Sequence, residues 1–156
     1  MHKKIEFVKK EIQTAFLNIE YPGDNHLLYH PTCEHEECLE IKRIFTGKIW
    51  KNIKLEDIQY QDYVFSFFST KAYRYYLPAF MIIVLDNYIE ADVVAQAVVY
   101  KLTPPTKDHK PRKAWLDETV SGFNEIQKTA IKLFLETIRD YYGDEWAEIA
   151  LKNVWG

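Results

Sequence analysis

His30, Cys33, His35 and Cys38 fall within one short stretch, and imidazole nitrogen and thiolate sulfur are the donors that tetrahedral zinc prefers. Such a set could serve a metal enzyme or sensor if the chain folded back far enough for the four to converge. Common structural zinc sites draw ligand pairs from two separated turns, whereas these candidates lie close together, partly on one helix. If that helix begins near Glu34, His35 and Cys38 share a face at i, i+3 and need His30 or Cys33 to hold an ion. The competing reading makes Cys38 a small buried hydrophobe beside exposed histidines. Four residues separate the cysteines, so the C-x-x-C spacing of low-pKa dithiols is missing. Without a secretory signal, the pair is expected as free thiols or ligands and not as a structural disulfide.

The second constellation is Arg74 with Tyr75 and Tyr76, set in the run Ser69 to Phe80 among aromatic and apolar residues. Burying a guanidinium without a carboxylate or several carbonyls costs several kcal/mol, so Arg74 calls for an acid such as Asp24 or Asp62, or for backbone carbonyls near Pro78. Two roles are open to it: an anion anchor in a tyrosine-lined pocket, or an internal brace, which suits the apolar setting better. No catalytic residue is assigned. A nucleophile on a sharp Gly-flanked turn is missing, the five glycines form no phosphate-cradling array, and acidic pairs cannot be told from solvated helix faces.

Helical periodicity must position these groups. Apolar spacing predicts a first helix over Lys3–Phe16, then a loop from Tyr21 to about Thr32 opened by Pro22 and Gly23. A second helix is predicted over Glu36–Phe45 with Gly47 near its end, and a short third over Leu55–Gln61. Tyr63–Phe68 reads as a connector, and Ser69 or Thr70 as the cap of a helix over Lys71–Leu85. That helix is apolar almost all round and is expected to be buried, bent or restarted where Pro78 crowds the Arg74 carbonyl. Further helices are predicted over about Asp92–Leu102, over Phe123–Tyr141 with Ile126 on its inner face, and through Trp146, Ile149, Ala150 and Val154. Between them, Pro104, Pro105 and Pro111 mark Thr103–Lys113 as an exposed loop.

Composition narrows the class. At 156 residues the chain suits one domain, 1–156, and 47% hydrophobic residues supply a core. Aromatic residues reach 15%, eleven of them tyrosine, so a core of hydroxyl-tipped rings that need partners is expected. A net charge of −3 gives no broad positive field, which argues against nucleic acid. The longest apolar run, Tyr75 to Leu85, contains Pro78 and is far shorter than the roughly 20 residues of a membrane span. No signal peptide is legible, and a cytoplasmic location is expected.

The run Phe65-Ser-Phe-Phe-Ser-Thr-Lys-Ala-Tyr-Arg-Tyr-Tyr-Leu-Pro-Ala-Phe80 resembles the signature F-L-(S/T)-P-E-A-F-R-Y-Y-L-P-A-Y of a family of small uncharacterised bacterial proteins. The likeness extends to Gly47, Lys48 and Trp50 before the run and to Gln127, Ala130 and Phe134 after it. Thr70 and Lys71 replace the family's Pro and Glu at a helix start, where both suit the first turn. The resemblance implies a single bacterial cytoplasmic domain and carries no activity.

The resulting expectation is an all-α, single-domain bundle of about six or seven helices around a buried, Pro-kinked central helix. Its function is read as non-catalytic protein binding, of an immunity or antitoxin-like kind. The acidic residues Glu136, Asp140, Asp144, Glu145 and Glu148 near the C-terminal helices would face the protein partner. The alternatives are a metal enzyme or sensor, with zinc as cofactor, at His30, Cys33, His35 and Cys38, and an anion-ligand sensor at Arg74.

Overall fold

The computed structural model describes residues 1–105 and 111–156, and among them the chain is all-α. The helices are α1 (His2–Ala15), α2 (Glu36–Phe45), α3 (Leu55–Ile58), α4 (Val64–Phe67), α5 (Thr70–Asp86), α6 (Tyr88–Ala91), α7 (Val93–Leu102), α8 (Lys113–Thr119), α9 (Glu125–Tyr142) and α10 (Glu145–Ala150). A π-helical turn, Leu151–Trp155, follows α10. More helices form than periodicity suggests because α4, within the Tyr63–Phe68 stretch read as a connector, and α6 are single turns of four residues and α8 has only seven. Extended pairing among the described residues is confined to one antiparallel bridge between Leu28 and Phe68. No helix among them is long and apolar enough to cross a membrane.

The chain gathers into two compact units, one of Met1–Leu17 with Val98–Gly156 and one of Asn18–Ala97. In the first, α1 lays Ile5, Val8 and Ile12 against α9, whose inner face is Ala130, Ile131, Phe134, Leu135 and Ile138. Two devices set where α9 starts and stops. The Asn124 side chain accepts the Gln127 N–H at 2.8 Å while the Gln127 side chain accepts the Asn124 N–H at 3.0 Å, a reciprocal cap that satisfies two donors of the first turn. Gly143, at φ 63°, takes the left-handed conformation that closes the last turn. Gln127 also reaches the Ala15 carbonyl at 3.4 Å, tying the end of α1 to this cap.

In the second unit, α5 is buried from Ala72 to Leu85 apart from Arg74 and Ile82. Pro78 lies inside it, and the helix does not restart there but runs on from Thr70 to Asp86. Ser69 is the cap: its hydroxyl accepts the Ala72 N–H at 3.0 Å and donates to the His26 carbonyl at 2.5 Å. The backbone bonds Ser69 N–H to Leu27 O, 2.9 Å, and Tyr29 N–H to Phe67 O, 2.8 Å, join the same two segments.

Several expectations are corrected. Thr103 and Pro104, read as part of a solvated loop, are buried, and the Thr103 hydroxyl lies 2.7 Å from the Val99 carbonyl. Residues 106–110 of that loop lie outside the described residues, and its end opens into α8, which periodicity missed. Ile126, Trp146 and Ile149, assigned to inner faces, are exposed. In α10 the inner positions are Ala147 and Ala150, because small side chains allow close helix approach, and beyond them Leu151 and Trp155. The wide turn, closed by Gly156 N–H to Leu151 O at 2.7 Å, brings Trp155 inward, where its indole N–H donates to the Leu102 carbonyl at 2.9 Å.

The reciprocal cap of α9 yields the first prediction. Asn124→Ala should lower the urea midpoint with an unchanged slope, a loss of about 1 kcal/mol.

Candidate functional site

The residues of the R-Y-Y-L-P run do their chemistry on the chain itself. α2 ends at Phe45, and the backbone then turns through Gly47, at φ 69°, toward the 3-10 turn Trp50–Asn52. A helix end leaves carbonyls without intrahelical donors, and buried ones must find other partners. The Tyr76 hydroxyl lies 2.9 Å from the Phe45 carbonyl and 2.7 Å from the Lys48 carbonyl, so its one proton is shared between two acceptors. The Tyr75 hydroxyl accepts the Trp50 N–H at 3.2 Å. A third ring joins them: the Tyr21 hydroxyl accepts the Gly47 N–H at 2.7 Å and donates to Asp24 Oδ1 at 2.6 Å. Three tyrosyl oxygens thus grip one six-residue turn, 45–50, at four backbone groups, and Asp24 holds the Tyr21 hydroxyl from outside it.

Rings pack where the hydroxyls bind. Tyr75 stands edge-on to Tyr76 at 4.8 Å and to Tyr21 at 5.6 Å between centroids. Phe45 meets Tyr76 at 4.7 Å and Phe68 at 5.0 Å, and Phe65 meets Phe80 at 4.8 Å. Burial raises the pKa of Tyr76, helped by Tyr21, Tyr75 and Asp24, and burial raises that of Tyr73 while Arg74 pulls it the other way. Tyr21 is raised by its partial burial and by its bond to Asp24. The Tyr76 hydroxyl stays protonated, as a donor to two carbonyls must.

Arg74 sits half-buried on α5 between buried Tyr73 and Tyr75 and has interactions of its own within the protein. The acids expected to meet it are placed otherwise: Asp24 receives the Tyr21 hydroxyl, and Asp62 is exposed.

The cysteines correct the sequence reading outright. Cys33 and Cys38 form a disulfide, with their Cα atoms 6.0 Å apart, and are neither free thiols nor thiolate ligands in this state. The turn His30–Cys33, closed by the Cys33 N–H on the His30 carbonyl at 3.0 Å, folds one sulfur back onto the first turn of α2. His30 and His35 are exposed beside it, and Tyr29 stands edge-on to His30 at 4.9 Å. No group of three or more His, Cys, Asp or Glu among the described residues is arranged to hold a metal ion. A bond that closes so short a loop contributes on the order of 2 kcal/mol through the unfolded chain.

One surface feature was hidden from periodicity. Trp146 is 54% exposed and Tyr100 64% exposed, their rings meet edge-on at 6.1 Å, and Ile149 is exposed one turn along α10 from Trp146. Glu145 and Glu148 are exposed on the same helix, and Arg139 bridges Asp140 at 2.8 Å and Glu148 at 3.4 Å. Exposed tryptophan beside tyrosine is the composition of interface hot spots.

The chain belongs to a family of unknown function, DUF6714, whose model matches residues 28–156. The match covers the whole R-Y-Y-L-P run, the turn it grips and the disulfide. No curated protein and no solved structure matches the chain.

The grip of the tyrosines makes two predictions. Tyr76→Phe should cost about 2 kcal/mol, because it strips a proton from two carbonyls at once, while Tyr75→Phe should cost nearer 1 kcal/mol. Gly47→Ala meets no atom within 4 Å, so its cost of about 1 kcal/mol comes from the left-handed backbone alone. Denaturant titration of the three variants checks the order. The second concerns alkali. Tyr73 and Tyr76 hold their protons above the ordinary tyrosine value of 10.0, where the unfolded chain releases them. Stability should therefore be complete below about pH 10 and fall as the pH climbs beyond it. Tyr76→Phe should flatten that fall in a pH series of thermal melts.

Proposed function

We propose that the protein is a non-catalytic, cytoplasmic protein-binding module, of the kind that bacteria use as immunity or antitoxin partners. The observation that carries the reading is the exposed Trp146–Tyr100 pair. A folded chain gains by burying such rings, and a partner surface is the usual place to do so. Acidic groups stand around it. Glu145 is exposed beside Trp146, Asp144 caps α10, and Asp140 and Glu148 flank Arg139, so a partner presenting an apolar pocket with basic residues at its rim fits best. The tyrosines of the signature run speak for the same division of labour, since their hydroxyls are spent on backbone groups and leave little to offer a substrate.

The test is capture of partners from the native host by the full chain, side by side with Trp146→Ala. A specific protein partner should bind at micromolar concentration or tighter, and the variant, with an unchanged helical circular dichroism spectrum, should bind at least about tenfold more weakly. Equal capture by both proteins, or no partner at that concentration, would remove the reading.

A further inference from the structure

We propose that the Cys33–Cys38 bond is a thiol–disulfide exchange site, opened by attack at Cys33, and that its reduction loosens the His30–His35 turn while leaving the tyrosine grip on residues 45–50 in place. The ligand class is a small or protein dithiol. Three observations on the page support it independently of the partner-binding reading.

The two cysteines are unequally open. Cys33 is half-buried on a turn whose neighbours Pro31, Thr32 and Glu34 are exposed, whereas Cys38 is 1% exposed. A nucleophile from solvent therefore reaches the Cys33 sulfur. Attack there makes Cys38 the leaving group, and Cys38 occupies the third position of α2, where unpaired backbone N–H groups favour a thiolate. Glu36 and Glu37 on the same turn work against it, so the charge balance is set locally by these groups. Finally, the restraint is local. Between His30 and His35 the chain is held by the sulfur bond and by short-range backbone bonds, Cys33 N–H to His30 O and Leu39 N–H to His35 O, both 3.0 Å. On either side, long-range bonds take over: Tyr29 N–H to Phe67 O before the turn, and the Tyr76 hydroxyl to Phe45 and Lys48 at the far end of α2.

The exchange balances as follows. A thiolate of the dithiol attacks the Cys33 sulfur and forms a mixed disulfide, while the electron pair of the broken bond departs on the Cys38 sulfur, which takes a proton from solvent. The second thiol of the dithiol gives up its proton and attacks its own sulfur in the mixed disulfide, releasing Cys33 as a thiolate that is protonated in turn. Two electrons have passed to the protein, and the reductant leaves as its own disulfide.

Two measurements on the oxidised full chain test this. In the first, glutathione is added briefly, the freed sulfur is alkylated, and peptides are mapped by mass. The mixed disulfide should sit on Cys33 with at least about tenfold preference over Cys38, and equal trapping or a preference for Cys38 would overturn the proposal. In the second, amide hydrogen exchange is compared before and after dithiothreitol. Amides of residue 30 and of residues 32–36 should exchange at least about tenfold faster, with those of residues 45–50 and of α5 changing less than about twofold. No change at 30–36, or loss of protection spreading into α5, would overturn it. The pair Cys33→Ser with Cys38→Ala should reproduce the reduced pattern, and the unsubstituted chain alone decides the matter if that variant does not fold.

Discussion

A buried tyrosine and a helix end have complementary needs. The ring is large and apolar, yet its hydroxyl must find a partner once it leaves water; the helix end carries carbonyls that must find a donor. In this protein Tyr76 answers both, its hydroxyl shared by the Phe45 and Lys48 carbonyls, and Tyr75 and Tyr21 take the N–H groups of Trp50 and Gly47 in the same turn. Neighbouring Phe45, Phe65, Phe68 and Phe80 then stack about rings whose positions are fixed by directional bonds. Hydrophobic packing alone would tolerate some sliding of α5 past the end of α2. Hydrogen bonds between 2.7 and 3.2 Å do not.

This grip gives the signature run a structural meaning. Consecutive positions of a helix point in different directions, so Tyr75 and Tyr76, adjacent in sequence, reach different groups of the same turn: an N–H for one, two carbonyls for the other. Gly47 belongs to the arrangement because its left-handed backbone lets the chain leave α2 and present those groups in quick succession. Open space surrounds the place where a side chain would begin, so conformation and not crowding selects glycine. α2 is also secured at its other end, where the disulfide draws Cys33 onto its first turn. The two restraints differ in kind: one is a set of hydrogen bonds proof against reductants, the other a covalent bond that thiols can open.

Much of the secondary structure was legible in the residues. α2 was bounded correctly at Glu36 and Phe45, α5 and α9 to within a residue or two, and the caps at Ser69 and Gly143 followed from residue type, because helical spacing, hydroxyl caps and glycine are local signals. The faces of α10 were misread because periodicity weights large apolar residues, and there the close contact uses Ala147 and Ala150, leaving Trp146 outside. α8 was missed because it is seven residues long and starts directly behind a proline-rich stretch. Tyr21 carried no signal of its role: a tyrosine before Pro-Gly looks the same whether or not a distant Gly47 N–H awaits it.

What the residues determined by themselves was an all-α chain with a buried aromatic run that needed hydrogen-bond partners, since period and burial demand are properties of a segment. Which groups would satisfy that demand, and whether two nearby cysteines would bond to each other or point apart, was decided only in three dimensions. Those outcomes depend on bringing the Tyr21 and Tyr76 hydroxyls each within 3 Å of the turn at 45–50, and on turning Cys33 back over α2. Such contacts bridge positions far apart along the chain or hinge on the direction of a turn, and neither spacing nor composition encodes them.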